Sequence, residues 1–261
     1  MTDKIITEKS GDIARIVFNQ PEKRNAVSLE MWEAVEAALT TYAADPEVRI
    51  LILSGAGGKA FVSGADISKF ESERASEDGV ARYNATTKRV YDGLEAFPKP
   101  TIAQIDGFCV GGGVALALSC DLRICGEGSN FAVPAAKLGL GYAFPGIKRL
   151  VNVVGPAFAK EIFFTGRRFD AEEARIMGLV NRVVADDRVG EVAQETANMI
   201  AGNAPMTVSS VKFIVGETVK DVASADLAEC DRRVKACFES KDYVEGRRAF
   251  LEKRKPQFVG A

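Results

Sequence analysis

Three consecutive glycines, Gly111 to Gly113, follow an apolar run and precede an apolar stretch of helical spacing. Glycine loses more backbone freedom on folding than any other residue, so a triplet indicates that something approaches the main chain closely. The pattern predicts a strand, a tight turn and the start of a helix, where free N–H groups and the helix dipole favour negative charge. This turn could bind an anion or a polarised carbonyl. Alternatively, its glycines only allow a strand and a helix to pack closely.

A second glycine-containing turn, residues 63–66, also follows a predicted strand and precedes a helical segment. Two such turns that face each other can direct two backbone N–H groups at one oxygen atom. A pair of this kind, an oxyanion hole, stabilises negative charge developing on a carbonyl, and losing one donor typically costs about 10²–10³ in rate. The two turns together favour acyl chemistry.

The chain contains no histidine. This excludes Ser-His-Asp and Cys-His nucleophile systems, histidine acid–base catalysis and every metal site that needs a histidine ligand. Any chemistry must therefore use carboxylates, tyrosine, lysine, thiols or backbone dipoles. We expect no metal and no redox cofactor.

Two nucleotide-binding interpretations fail on spacing. The pair Gly58-Lys59 suggests a P-loop, but the required first glycine falls on Leu53 and Ala60 stands where the motif needs serine or threonine. The glycine triplet suggests a dinucleotide fingerprint, but Leu116 occupies the position of its third glycine. Neither turn is therefore interpreted as a phosphate cradle.

The elements that position these turns alternate between strands and helices, which is typical of an α/β fold. Apolar runs predict strands at 13–18, 48–53, 101–105, 122–125, 130–133 and 179–184. Helical spacing predicts helices from 29 to about 44 with Ser28 as N-cap, and at 83–97, 187–202, 205–218, 222–240 and 242–250. The charged, serine-rich residues 68–82 predict a mobile surface helix or lid. Because no strand pattern follows residue 184, we divide the chain into an α/β core, 1–195, and a helical C-terminal region, 196–261.

Composition indicates a globular protein of 261 residues with a net charge of −2, which gives no reason to expect nucleic acid or an anionic membrane as partner. No apolar run approaches the roughly 18 residues of a membrane span, and the first residues lack a signal-peptide pattern. The five cysteines lack paired metal-ligand spacing and predict reduced thiols, hence a cytoplasmic protein.

The order and spacing of several short motifs resemble the crotonase (enoyl-CoA hydratase/isomerase) superfamily over nearly the whole chain. The matching segments are 23–26, 59–67, 99–100, 106–113, 119–121, 178–180 and 250–256. The resemblance implies a spiral of ββα units with a helical C-terminal trimerisation region, and a homotrimer or dimer of trimers. It also implies an acyl-CoA substrate, a role in fatty acid metabolism, and no cofactor besides the coenzyme A thioester itself.

The resemblance assigns residues by motif position. The oxyanion-hole donors are then the N–H groups of Ala65 and Gly112. The surrounding substrate-binding residues are Arg24, Ala26, Lys59, Ala60, Gly64, Asp66, Ile67, Gly111, Ala115, Ala135 and Lys253. Among these, Asp66 is interpreted as the cap of the following helix. The cations Arg24, Lys59 and Lys253 either approach coenzyme A phosphates or are solvated surface charges.

The sequence departs from the hydratase pattern at two positions. Hydratases of this superfamily carry a glutamate two residues after the third glycine and another directly after the proline of the next strand–loop. Here those positions are Ala115 and Ala135. Hydration needs a base to activate water and an acid to protonate the α-carbon, and a methyl group does neither. We therefore expect hydratase activity to be weak or absent.

Decarboxylation of a malonyl-type thioester needs the oxyanion hole but no protein carboxylate. Loss of CO₂ leaves an enolate that two N–H donors stabilise, and a nearby carboxylate would repel the substrate's own. The loop 138–142 resembles that of methylmalonyl-CoA decarboxylases, which have a tyrosine at the position of Tyr142. We expect an acyl-CoA lyase in which Tyr142 contacts the departing carboxylate, or else packs only as a core aromatic. The alternatives are a hydratase with relocated acid–base groups and a non-catalytic acyl-CoA-binding protein.

Overall fold

A computed structural model describes residues 2–69, 73 and 75–261. The predicted surface helix or lid at 68–82 lies partly outside the described residues, and the part described from Glu77 onward belongs to a long helix. None of the described helices is both long and apolar enough to cross a bilayer.

The chain builds two sheets whose strands alternate along the sequence. The larger sheet contains, in spatial order, β1 (Ile5–Ser10), β2 (Ile13–Phe18), β3 (Ile50–Gly55), β5 (Thr101–Ile105), β7 (Leu122–Gly126) and β10 (Arg182–Val184). The smaller sheet contains β4 (Ala60–Val62), β6 (Phe108–Val110), β8 (Asn130–Ala132) and β9 (Phe169–Asp170). Among the described strands, only the pairs β1–β2 and β8–β9 are antiparallel. The strands β3, β5 and β7 of the larger sheet are each followed along the chain by a short strand of the smaller sheet.

Helices complete each unit and cover both sheets. Their bounds are α1 (Leu29–Ala44), α2 (Glu77–Glu95), α3 (Gly112–Ser119), α4 (Phe144–Thr165), α5 (Ala171–Ile176), α6 (Val189–Ala201), α7 (Pro205–Thr218), α8 (Leu227–Glu239) and α9 (Lys241–Leu251). The successions β3–β4–α2, β5–β6–α3 and β7–β8–α4 are the ββα units of the expected spiral. The fold class predicted from the sequence is confirmed.

Apolar side chains fill both sides of the larger sheet. The main core lies between the two sheets and beneath α1 to α4, and includes Phe18, Trp32 and Phe61. A second cluster joins the other face of the sheet to α6 through residues such as Ile52 and Ala193. Burial on both faces explains why β3 is a continuous apolar run rather than an alternating one.

The helices after α6 form the C-terminal region, in which α7 packs on α8 and α8 on α9. The predicted helix 205–218 matches α7, whereas the helix predicted at 222–240 starts only at Leu227, after a 3₁₀ turn at Val222–Ser224. The predicted division after residue 195 falls inside α6, and it stays a prediction.

All five cysteines are free thiols, and Cys109, Cys120 and Cys125 are buried core residues as the sequence predicted. The structure corrects the predicted N-cap of α1. Ser28 precedes α1, but its hydroxyl makes no capping bond, and the Glu73 carboxylate accepts the Leu29 N–H at 3.1 Å instead.

Candidate active site

The turn 63–66 follows β4 and pairs with the preceding segment through a parallel bridge between Val27 and Ala65. The Val27 N–H donates to the Gly64 carbonyl at 2.8 Å, and the Asp66 N–H donates to the Val27 carbonyl at 3.0 Å. In this arrangement the Ala65 N–H points away from the bridge. Gly64 has a φ of +110°, a backbone conformation that residues with a Cβ rarely adopt.

The glycine turn, Gly111 to Gly113, follows β6 rather than β5, so the strand that carries it is not the one expected from the sequence. Gly111 has a φ of +55° and donates its N–H to the Ala132 carbonyl at 2.8 Å. Helix α3 begins at Gly112, whose N–H belongs to the first turn and has no partner within the helix. A Cβ on Gly113 would lie 2.1 Å from the Val62 carbonyl oxygen, so only glycine lets the two turns approach.

The two turns are neighbours in space. A Cβ built on Gly112 would lie 4.0 Å from the Gly64 Cα. Among the described residues, neither the Ala65 N–H nor the Gly112 N–H donates to a protein acceptor. The two amides are therefore not engaged by the protein itself, and their role as an oxyanion hole stays a prediction.

Asp66 anchors the turn that carries Ala65. Its carboxylate accepts hydrogen bonds from the Ser68 hydroxyl at 2.6 Å and the Ser68 N–H at 3.1 Å, and pairs with the Lys23 ammonium at 2.9 Å. Burial alone raises the pKa of this carboxyl, but the hydrogen bonds from Ser68, Lys23 and Gln20 outweigh it and hold the pKa at about 2. Asp66 is ionised at neutral pH and caps the 3₁₀ turn Ile67–Lys69, as the sequence interpretation had it.

Asn25, within the motif segment 23–26, is a buried polar residue to which the sequence motifs assigned no role. Its amide nitrogen donates to the carbonyls of Ala56 at 3.0 Å and Ala60 at 2.7 Å, and its oxygen accepts the Gln20 N–H at 2.9 Å. These bonds fasten the 20–26 loop, which carries Arg24, to the start of β4. Asn25 has a φ of +55°, a backbone conformation that asparagine tolerates better than most residues. The residue type was therefore the one sequence feature that could have indicated a special backbone position here.

Ala115 and Ala135 lie on the elements that follow the glycine turn and β8. Ala115 is in the first turn of α3, three residues after Gly112, and donates its N–H to the Gly111 carbonyl at 3.2 Å. Ala135 opens a 3₁₀ turn three residues after Ala132, whose carbonyl holds Gly111, and is buried in the main core. Both positions present a methyl group.

Tyr142 lies in the segment before α4 and is half-buried against the main core. Its ring meets Phe163 edge-on, with 4.8 Å between the ring centroids. Burial raises the pKa of the Tyr142 hydroxyl, so the group is protonated at neutral pH. Among the described residues the hydroxyl has no hydrogen-bond partner, which leaves it free to bind a ligand.

Tyr91 is a residue of the site region that the sequence analysis did not single out. It lies on α2, and its hydroxyl donates to the Gly112 carbonyl at 3.2 Å. Tyr91 follows Thr87 by one helical turn in the predicted helix 83–97. This helical spacing could have indicated that Tyr91 faces the interior of the fold.

The charged groups of the three predicted cations, Arg24, Lys59 and Lys253, take no part in the side-chain contacts described above. The Arg24 guanidinium stacks on the Phe108 ring, 4.7 Å from its centroid, at the start of β6. Lys59 is exposed, and its carbonyl accepts the Phe108 N–H at 3.1 Å. Lys253 lies at the exposed end of α9, and no contact among the described residues joins it to either turn. Of the other predicted positions, Ala60 is buried and Ile67 is largely exposed. Ala26 is half-buried, and its N–H donates to the Lys23 carbonyl at 3.1 Å.

A spiral of strand–strand–helix units that brings two glycine-containing turns together is the crotonase fold. The family model described as enoyl-CoA hydratase/isomerase matches residues 8–261, and the chain belongs to this family. It is 35% identical to a short-chain-enoyl-CoA hydratase of Clostridium acetobutylicum, over 97% of this chain and 96% of that protein. It is also 35% identical to a crotonyl-CoA hydratase of Syntrophomonas wolfei, over 98% of both.

The structural comparison agrees with the sequence comparison. A crystal structure of an enoyl-CoA hydratase/carnithine racemase from Magnetospirillum magneticum superposes with a TM-score of 0.93 at 39% identity, covering 100% of this chain and 97% of that one. The protein is therefore a crotonase-superfamily enzyme of the acyl-CoA class, and its relatives carry hydratase names.

Proposed function

We propose that this enzyme forms a thioester enolate in an oxyanion hole made by the Ala65 and Gly112 N–H groups, and that it decarboxylates a malonyl-type acyl-CoA. One observation carries the proposal: the two amides have no protein acceptor among the described residues, and alanines occupy the two positions, on α3 and in the turn after β8, where a hydratase holds its acid–base pair. The site keeps the means to stabilise an enolate and lacks the usual carboxylates that add water.

The reaction suits these groups step by step. The thioester carbonyl accepts hydrogen bonds from the two amides, whose dipoles are already oriented before charge develops. The bond between the α-carbon and the substrate carboxylate breaks, CO₂ leaves, and the electron pair enters the enolate. Because Ala115 and Ala135 carry no charge, nothing at those two positions repels the substrate carboxylate, and an apolar wall favours its loss.

Hydration is the second candidate, because the curated relatives named above are hydratases. It would need an acid and a base supplied from other positions than 115 and 135. An acyl-CoA-binding protein without turnover is the third. A thioester panel separates the three: crotonyl-CoA hydration and methylmalonyl-CoA decarboxylation are followed side by side with the purified protein. CO₂ release faster than hydration supports the proposal, fast hydration contradicts it, and binding without turnover of either thioester favours the third.

Tyr142 is the residue we assign to the substrate carboxylate. A hydrogen bond to a charged group contributes about 1.5–3 kcal/mol, so Tyr142→Phe is expected to lower kcat/KM for decarboxylation by about 10- to 100-fold, through weaker binding of the substrate carboxylate. The ring and its contact with Phe163 are kept. Tyr42→Phe is the matched control, since the Tyr42 hydroxyl donates to the Glu8 carbonyl at 3.0 Å on another part of the fold. An unchanged kcat/KM in Tyr142→Phe would remove this residue from the binding of the substrate carboxylate.

The C-terminal helices expose apolar side chains that we propose to be covered by further copies of the chain, in a trimer or a dimer of trimers. Phe250 and Leu251, at the end of α9, are 84% and 80% exposed. They border a mainly apolar cavity of about 840 Å³ between α7, α8 and α9. Exposed apolar surface of this kind marks interaction sites. Light scattering is expected to give a multiple of three times the 28.0 kDa chain mass, and a monomer would contradict the assembly.

A further inference from the structure

The hydroxyl of Tyr91 lies beside the Gly112 N–H that we assign to the oxyanion hole. It donates to the Gly112 carbonyl at 3.2 Å, and a Cβ built on Gly112 would stand 3.3 Å from it. Because a Cβ is about 2.5 Å from the amide nitrogen of its own residue, the hydroxyl is within about 6 Å of the Gly112 nitrogen. An enolate oxygen bound to that N–H has its α-carbon only two bonds away.

The Tyr91 hydrogen bond is not needed to satisfy the backbone. In α3 the Gly112 carbonyl is positioned to accept the Leu116 N–H four residues later. The hydroxyl is therefore a second, dispensable donor to this oxygen. Tyr83, two turns earlier on the same helix, differs, since its hydroxyl accepts the Trp32 indole N–H at 3.0 Å in the core.

The Tyr91 ring is held in place from two sides. It meets the Trp32 ring edge-on, with centroids 5.5 Å apart. The Arg149 guanidinium lies over it, 5.4 Å from the centroid. That guanidinium is itself fixed by Glu95, at 2.5 and 3.0 Å. The ring is thus positioned, and a cation lies against its face.

The two carboxylates nearest to Tyr91 on the same helix, Asp92 and Glu95, are already engaged. Glu95 binds Arg149 with both oxygens, and Asp92 lies 3.6 Å from the same guanidinium. Asp66, next to Ala65, is held by Ser68 and Lys23. Tyr91 is the proton-bearing group that the described contacts place at the Gly112 end of the site.

We infer that Tyr91 is the general acid that protonates the α-carbon of the enolate, a role that rests on the proposed enolate chemistry. After CO₂ leaves, the enolate electron pair takes the proton of the Tyr91 hydroxyl. A C–H bond forms, the O–H bond breaks, and the phenolate then regains a proton from water. In this scheme Tyr142 binds the substrate carboxylate that departs as CO₂, and Tyr91 protonates the α-carbon that remains.

The protonation state of Tyr91 suits an acid of this kind. Burial raises the pKa of Tyr91 well above its ordinary value, the neighbouring Tyr83 and Tyr142 add to the increase, and Arg149 opposes it. The hydroxyl therefore carries its proton at neutral pH. The carbon of a thioester enolate is a far stronger base, and the nearby guanidinium stabilises the transient phenolate.

The test is decarboxylation of methylmalonyl-CoA in D₂O, with the product analysed for the configuration of its single α-deuterium. Protonation from one fixed group gives one enantiomer of α-deuterated propionyl-CoA, whereas protonation by water from either face gives both. We expect one enantiomer from the wild type and from Tyr83→Phe, and continued CO₂ release with loss of enantiomeric excess from Tyr91→Phe. CO₂ release with the enantiomeric excess retained in Tyr91→Phe would overturn the inference.

A second measurement keeps the two proposals separable. Exchange of the propionyl-CoA α-proton with D₂O, followed by NMR, runs the protonation step in both directions and needs no carboxylate on the substrate. The Tyr91 phenolate removes the α-proton to give the enolate, the phenol exchanges its proton with D₂O, and the enolate carbon takes the deuteron back. We expect it to fall by about 10²–10⁴-fold in Tyr91→Phe and to be unchanged in Tyr83→Phe. Exchange by the wild type without CO₂ release would end the decarboxylase proposal and leave the role of Tyr91 standing. Equal exchange in Tyr91→Phe and the wild type, with circular dichroism confirming that both are folded, would end that role.

Discussion

Replacing Gly112 with proline is expected to lower kcat for the thioester substrate by about 10²–10³-fold, because it removes one of two N–H donors to the developing oxyanion. The proline ring also places a carbon where the donor stood. Steady-state kinetics measure the loss, and it should fall mainly on kcat, since the donor stabilises the transition state more than the bound substrate. The same change in a purely structural turn would leave kcat intact.

Proline is compatible with this position, which makes the test informative. Gly112 is the first residue of α3, where the N–H has no helical partner and the φ fixed by proline suits the helix. The chain already begins α4 and α7 with proline in the first turn. Thermal unfolding is therefore expected to change little.

The control is Gly112→Ala, which keeps the N–H and adds only a Cβ. That Cβ would stand 3.3 Å from the Tyr91 hydroxyl and 4.0 Å from Trp32, so a small movement of the phenol accommodates it. We expect the alanine variant to keep most of its activity. Equal losses in the alanine and proline variants would show that space rather than the donor matters at Gly112.

The elements with a strong local pattern could be predicted from the sequence. The predicted bounds of β2, β5 and α7 match the structure, because each shows a clear apolar periodicity between Pro, Gly or Asn residues. The three-residue strands β4 and β6 could not be predicted in the same way. They are too short to show a period, and they form only because residues far along the chain pair with them.

The residues of the site also differ in whether a local sequence pattern indicates them. The glycine turn and the turn at Ala65 were visible in the sequence because glycine has a local steric meaning. Tyr91 and Asn25 were not, since a tyrosine on a helix face and an asparagine in a loop gain their roles from groups brought up by the fold. The bond from Glu73 to the Leu29 N–H likewise spans 44 residues, and no local pattern indicates it.

Replacing both Ala115 and Ala135 with glutamate is expected to create crotonyl-CoA hydration and abolish decarboxylation. A positioned acid and base contribute about 10²–10⁴-fold each to proton transfer, so hydration should rise by at least about 10²-fold over the wild type. The ionised carboxylate that acts as the base also repels the substrate carboxylate and disfavours its binding. Absorbance of the enoyl thioester and release of CO₂ measure the two changes on one preparation.

The burial of each position determines how much hydration a new glutamate loses and which residue can serve as the control for the double substitution. Ala135 is buried, so a carboxyl placed there loses hydration, and its pKa rises, as a general acid requires. Ala136→Glu is the matched control, because the next residue is exposed and its carboxylate stays in water. We expect that variant to keep the wild-type ratio of decarboxylation to hydration. A folded double variant that still decarboxylates and hydrates no faster than the wild type would show that the alanines do not decide the reaction, and that another group in the pocket does.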